Sequence, residues 1–598
     1  MASPHISQKS VAYICTMIEE KIQMIKTLLS TALIAAAFTP LAGGVFASQA
    51  ASPDLGAANP ELVEFQQQFE DEVLVTVGPK VHTAFGYEYS NFSFIEGDDG
   101  IIAIDTGWFP DATARAIAQL RQTTQKPVVA IIYTHVHHDH YGGAVALAQK
   151  NSGQKPPVIY GPKGWREMVE YTSSVLFPMI QQRAYAQFGM ILPRGENGTV
   201  GAGIGKVPTG KGTPVFIAPS VTISEPTAVT IAGVRLEIIP SPGDIYSSHM
   251  MVWLPDEKVL FTGDVLGGTF PYIETARFEM DRHPEGFVDS IDVALALKPD
   301  YLVSGHGRVL LGREDVEDVL NATRDVIQYL VDQVDRLTVK GYSADQMIDE
   351  IVLPPRLANH PDLQPHYHRV EWMIRGMYLK RAGFVGDVLD LATLTESQES
   401  QRLVKLLGGG KATVAAAKKA LADNDPRWAA RLATYALHAD PNNKQALQVR
   451  LEAFKAIASD TVSANERNYL LTAVLAESGA FDWSKPVSTV MARDYADQPS
   501  SVLLEMFRAR VVPEQALGKD FAVKIEIEGE TAPHYWQVGD GILRYSDSVD
   551  SVDGSVKMDR ATLIKLFAGQ TTLQAAVADR SITISGKGDV QDLPDIIE

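Results

Sequence analysis

The segment Thr134-His135-Val136-His137-His138-Asp139-His140 constrains this chain more than any other, because it follows directly on the apolar, β-rich run Val128 to Tyr133. In layered α/β folds, chemistry sits on loops at strand ends, held in place by the rigid sheet behind them. His135 and His137 stand two apart while Asp139 and His140 follow at once. One tight loop can therefore aim two pairs of donor atoms at two neighbouring ions. A His-rich tract can also bind metal without further purpose, so the rest of the chain must decide.

Three later elements supply what the loop lacks. Ser241-Pro242-Gly243-Asp244 lies between two strand patterns, Phe261 to Val265 (FTGDV) ends a strand on Asp264, and Ser304 to Gly307 (SGHG) puts His306 at another strand end. A Gly-flanked Asp or His taken singly is an ordinary turn residue. In this order behind THVHHDH they form the context such a motif requires. Asp264 could bridge two ions with one oxygen each. His249 is an alternative to Asp244, although a strand histidine beside Met250 reads more simply as core.

Cysteine cannot contribute, because the single Cys15 lies near the N-terminus; this excludes a disulfide framework and a thiol nucleophile in the main body. Any metal must be held by His, Asp and Glu. The formal charge of −20 argues against nucleic acid, whose phosphates are bound by clustered Lys and Arg. An anionic substrate would need a local positive site, which metal ions can provide.

From Met24 the chain reads MIKTLLSTALIAAAFTPLAGGVFASQA. A lysine, a short apolar run and a small-residue exit are the pattern of a secretory signal, with cleavage expected after Ala47 and a periplasmic or secreted product. The run falls short of the roughly 20 apolar residues of a membrane-spanning helix. Cys15 precedes it rather than following it, which argues against a lipid anchor.

At 598 residues the chain exceeds what one core can serve, since cores stop growing at roughly 250–300 residues. Short alternating runs over 73–107 predict antiparallel strands, followed by a helix over 112–122 and the strand before the histidines. A second strand set runs over 227–264, with a helix near 287–297 and the strand YLVSGHG. Two strand-rich halves with flanking helices predict an α/β layered sandwich. Helical periodicity takes over after about 312, beginning with Val316 to Leu337 and continuing over Lys411 to Gly479. From about Val487 a small α+β unit closes the chain.

The order HxHxDH, PG(H/D/E), TGD, GHG resembles the metallo-β-lactamase superfamily, and within it the zinc-dependent alkyl sulfatases. The narrower likeness is carried by FGMILPRGENGTVGAGIG (188–205), FPYIETARF (270–278), LPPRLANHPDLQPHYHRVEWMIRGMY (353–378) and the helical block around KKALADNDPRWAARLATYALHADPNNKQA. The resemblance implies an αββα sandwich over 60–335, a helical dimerisation domain over 340–480 and a sterol-carrier-like domain over 485–598, whose apolar tunnel could hold an alkyl chain. It implies one zinc on His135, His137 and Asp244, a second on Asp139, His140 and His306, and Asp264 bridging them. Arg277 takes the place of the sulfate-binding arginine, with Gly201, Gly203 and Gly205 near the sulfate. The implied activity is hydrolysis of an alkyl sulfate to alcohol and inorganic sulfate by a homodimer; whether the C–O or the S–O bond breaks stays open. The alternatives are another dizinc hydrolase acting on a lactone, phosphoester or thioester, or a non-enzymatic lipid or surfactant carrier. The chain departs from the family at Asp244 (Glu there), Tyr272 (Asn), Phe278 (Gly) and Gly383 to Leu389 (GFVGDVL, for an aromatic GW(F/Y)DGNP turn).

Overall fold

The computed structural model describes residues 54–148, 155–165, 175–244, 248–277, 282–496 and 498–598. The expected export signal lies outside them, as do Phe278 and Glu279.

Strands β1 (Val73–Val77), β2 (Val81–Phe85), β3 (Phe92–Glu96) and β4 (Ile101–Ile104) pair antiparallel in succession. From β4 the sheet continues in parallel through β5 (Val128–Ile132), β6 (Val158–Pro162) and β7 (Val221–Ile223). A second sheet runs β8 (Thr227–Ile231), β9 (Val234–Pro240), β10 (Met250–Leu254), β11 (Val259–Gly263), β12 (Tyr301–Ser304) and β13 (Leu310–Leu311). Its pairs are antiparallel except β11–β12.

The alternation of side chains along each strand separates the layers. Ile102, Ile104, Ala130 and Ile132 meet Ile238, Val252, Leu254, Val259 and Phe261 of the other sheet in one buried cluster. Their neighbours Ala103 and Ile131 point the opposite way, onto Ala112, Ala116 and Leu120 of the Pro110–Leu120 helix. Met251, Trp253, Leu260 and Leu302 likewise turn outward onto the Pro284–Leu297 and Arg313–Val339 helices. The result is the helix–sheet–sheet–helix sandwich that the pattern predicted.

Helices Gly410–Ala422, Pro426–Ala439, Lys444–Asp460 and Ala464–Glu477 follow. Asp425 and Asn443 cap two of them by accepting the amides of Trp428 and Ala446. Among the strands of the last unit, β14 (Asp520–Ile527) is central in the order β16 (Ile542–Ser546), β15 (His534–Gly539), β14, β17 (Gly554–Met558), β18 (Ile582–Gly586). Its core is filled by Phe507, Phe567 and a fully buried Trp536, whose indole N–H donates to the Leu504 carbonyl at 3.0 Å.

Candidate metal centre

Every expected ligand hangs from the end of a strand. β5 leads into His135–His140, β9 into Asp244, β11 into Asp264 and β12 into His306. The β11 and β12 turns need glycine: Gly263 and Gly307 have φ of 52° and 76°, in the left-handed region. A side chain at Gly305 would meet Asp264 Oδ1 at 2.2 Å, so only glycine lets the two turns close on each other.

The ligand atoms converge into two groups, His135, His137, Asp244, Asp264 and Asp139, His140, His306, within which all lie inside 4.8 Å of one another. Donors around a tetrahedral zinc at about 2.0–2.1 Å stand roughly 3.3–3.4 Å apart. Asp244 Oδ2 lies 3.5 Å from His135 Nε2 and 3.3 Å from His137 Nδ1. Asp139 Oδ2 lies 3.2 Å from His140 Nε2 and 3.3 Å from His306 Nε2. His135 Nε2 and His137 Nδ1 are closer, at 2.8 Å. Asp264 reaches both groups, with Oδ1 3.3 Å from His140 and Oδ2 3.3 Å from His306 and 3.7 Å from His135.

The orientation of each imidazole is set from behind. Asp105 Oδ2 holds His140 Nδ1 at 2.9 Å, the Tyr89 carbonyl accepts from His306 Nδ1 at 3.0 Å, and Thr134 Oγ1 lies 3.1 Å from His135 Nδ1. All three therefore present Nε2 to the cluster, as metal-bound histidines do when a second partner fixes the ring. His140 Nε2 and Asp264 Oδ1 are buried and make no hydrogen bond, a costly state unless a cation sits between them. The residues thus fit divalent metal.

The electrostatics point the same way. Burial acts to raise the Asp264 carboxyl, but the imidazoles of His306, His140 and His135 outweigh it and hold it well below the usual range. Burial opposes a proton on His306, yet Asp264 and Asp139 push it up to about 9. Carboxylates that draw protons onto buried imidazoles would draw a metal cation in their place.

The cluster opens into a cleft of about 750 Å³, counting its mouth, with His137, Asp139, Asp264 and His306 on one side. Trp108, Phe177, Ile180, Ala184 and Phe188 form an apolar wall. Arg277 also lines it, its guanidinium carbon 5.3 Å from the centre of the Phe188 ring, with Nη1 donating to the Tyr367 hydroxyl at 3.4 Å. The Arg277 amide donates to Gln187 Oε1 at 3.2 Å. Glu274, three residues before Arg277, pairs with Lys380 at 3.0 Å.

Three families match consecutive parts of the chain: the metallo-β-lactamase superfamily over 86–306, alkyl sulfatase dimerisation over 343–478 and alkyl sulfatase C-terminal over 489–597. A linear primary-alkylsulfatase from Pseudomonas sp. is 29% identical over 82% of this chain and 95% of its own. An (R)-specific secondary-alkylsulfatase, also from Pseudomonas sp., is 27% identical over 89% of this chain and 81% of its own. Among solved structures, a double mutant of the sec-alkyl sulfatase PisA1 superposes with a TM-score of 0.74 at 25% identity, covering 92% of this chain and 88% of that one. The chain belongs to the alkyl sulfatase family of the metallo-β-lactamase superfamily.

Within this family's architecture, the seven expected ligands come together and His249 stands behind them. It forms a strand bridge with His135, and its Nε2 accepts the Asp264 amide at 3.3 Å. Burial pushes its pKa down to about 3, which leaves it a neutral core residue. Gly203 and Gly205 are packed too closely for a side chain: added Cβ atoms there would meet the carbonyls of His366 and Tyr89 at 2.6 and 1.9 Å. Gly201 lies against Gln66, and it is Ile204 that reaches the cleft. Tyr272, where the family has Asn, also lines it and donates to the Asp264 carbonyl at 3.0 Å.

Sequence reasoning missed Asp105 and Arg282. Asp105 accepts from Thr134 N and Oγ1 as well as meeting His140, and it adopts a φ of 55°. Its place directly after the run Ile101 to Ile104 was a usable signal. Arg282, buried beside Asp244 at 2.5 Å, left none.

Proposed function

We propose that this chain is a dizinc alkyl sulfatase that hydrolyses an alkyl sulfate ester with water to alcohol and inorganic sulfate. The observation that carries the reading is the pair of ligand groups joined by Asp264 at the foot of a cleft that combines an apolar wall with Arg277. His135, His137 and Asp244 would hold one ion, Asp139, His140 and His306 the other, with Asp264 shared. When bound, two such ions supply a water acidified towards neutrality and positive charge for the oxygens of the ester.

The chain's own residues do the rest. Arg277 presents a planar fork that suits a tetrahedral oxyanion, and Gln187 and Tyr367 hold it at the cleft. Trp108, Phe188 and the Phe177–Gln187 helix offer the alkyl chain a dry surface. On a chain of net charge −20, the approach of an anionic detergent depends on this local positive site.

The family's dimerisation match and an exposed apolar stretch support a homodimer. Phe384, Val388, Leu389 and Leu391 are 67–74% exposed in the single chain, and a soluble monomer rarely leaves so much apolar surface together. No helix among the described residues is long and apolar enough to cross a membrane. Export to the periplasm or medium is part of the proposal, supported by the pattern from Met24 to Ala47 and tested by the N-terminus of the mature protein.

The decisive experiment is sulfate release from alkyl sulfates of several chain lengths, with a metal count on the same preparation. Two zinc ions per chain and stoichiometric alcohol and sulfate are expected. No sulfate from a metal-loaded preparation at any chain length would return the site to the lactone, phosphoester or thioester hydrolases, and turnover of none of these would leave a carrier.

A further inference from the structure

Much of the apolar wall of the cleft is one face of one helix. Phe177, Ile180, Gln181 and Ala184 of the Phe177–Gln187 helix line it, and the spacing i, i+3, i+4, i+7 is that of a single helical stripe. Phe188, just past the last turn, extends the same wall. The position of this helix therefore bears on the width of the apolar part of the cleft.

Its other faces do not rest on the sandwich alone. Tyr185 packs into a cluster with Leu471, Val474 and Leu475 of the helical unit. Phe177, although it lines the cleft, belongs to the core of the C-terminal unit. It meets the buried Tyr495 edge to face at 5.8 Å. Tyr495 meets Phe567 at 4.8 Å, Phe567 meets Phe507 at 6.0 Å, and Phe507 meets Trp536 at 5.3 Å. A continuous file of rings thus runs from the cleft to Trp536 in the core of the last unit.

We infer that the C-terminal unit acts on substrate selection: through Tyr495 and Phe177 it holds the wall helix, and so sets the cleft's preference for long alkyl chains. Tyr495 is a positioning residue that acts through Phe177, which is the residue that touches the chain. Close-packed aromatic contacts transmit a shift because interiors do not deform continuously. The inference rests on the alkyl sulfatase reading and deepens it.

The test compares hexyl and dodecyl sulfate on the full-length, metal-loaded protein carrying Tyr495→Ala, Phe177→Ala or Tyr495→Phe. Each methylene that loses a dry contact weakens binding about fourfold, so two should raise the KM for dodecyl sulfate roughly fifteenfold. In Tyr495→Ala the KM for hexyl sulfate and both kcat values should stay near those of the parent, and Tyr495→Phe, which keeps the ring, should keep the parent profile. Leu573→Ala truncates another residue of the same core and serves as the control. An unchanged chain-length profile in both alanine variants, or the same shift in Leu573→Ala, overturns the inference. Absence of sulfate release by the parent protein would instead overturn the function on which it rests.

Discussion

The guanidinium of Arg282 lies 2.5 Å from Asp244 Oδ1, while Asp244 Oδ2 faces His137 and His135 at 3.3 and 3.5 Å. One carboxylate is thus divided between a buried cation and the first ligand group. A partner behind a ligand typically contributes 10–100-fold to metal affinity. Arg282→Ala should therefore weaken zinc at that group by about this factor while the second group keeps its ion. Competition with a chromogenic chelator measures both, and an unchanged affinity at both groups would refute the role.

Asp264 shares the first group with Asp244 but also reaches His140 and His306 of the second, at 3.3 Å each. Asp244→Ala should retain about one ion per chain, whereas Asp264→Ala should lose most of both; metal analysis after gel filtration distinguishes them. Equal loss in the two variants would deny Asp264 its shared position.

Arg277 contributes charge-assisted hydrogen bonds of about 1.5–3 kcal/mol each if it grips the sulfate. Arg277→Ala should lower kcat/KM for an alkyl sulfate roughly 10–100-fold with metal content intact. Arg277→Lys should recover part, because a point charge replaces the fork. A kcat/KM equal to the parent's would remove Arg277 from the site.

His368 is fully buried, and burial pushes its pKa down to about 4. Its Nε2 meets the Glu274 carbonyl, so the neutral ring donates there. The unfolded chain takes up this proton near pH 6.5 and the folded one near 4. The stability contribution is thus complete above about 6.5 and is lost as pH falls through that window, by up to about 3 kcal/mol. Denaturant unfolding at pH 7 and 4.5 should show a shallower acid loss in His368→Asn than in the parent, and parallel losses would contradict it.

Phe384 and Leu389 are exposed apolar residues of the helical unit. The double variant Phe384→Glu, Leu389→Glu should sediment as a monomer at concentrations where the parent sediments as a dimer. An unshifted sedimentation coefficient would place the interface elsewhere.

Much of the site was legible because its chemistry is local. The spacing of His135, His137, Asp139 and His140 behind an apolar strand is one turn's geometry, and the glycines beside Asp264 and His306 mark turns that only glycine closes. The apolar run Val128 to Tyr133 likewise marked the buried strand behind the histidines, but which of its side chains faces which layer was decided by packing. Where the reading wavered, between Asp244 and His249, both residues were plausible donors in sequence. Pairing of His249 with the strand end of His135 turned its ring into the core.

The sequence by itself determined the ligand types, their order and the layered architecture, since these follow from side-chain chemistry and from periodicity along single strands and helices. The tertiary structure alone decided which groups stand behind the ligands and what walls the cleft. Arg282 on Asp244, the Tyr89 carbonyl on His306, and Tyr495 against Phe177 join segments far apart in the chain. Such contacts depend on how separate elements pack, and no local pattern encodes them. The segment 201–205 likewise shows what packing adds: Ile204 lines the cleft, while Gly203 and Gly205 pack closely against the His366 and Tyr89 carbonyls.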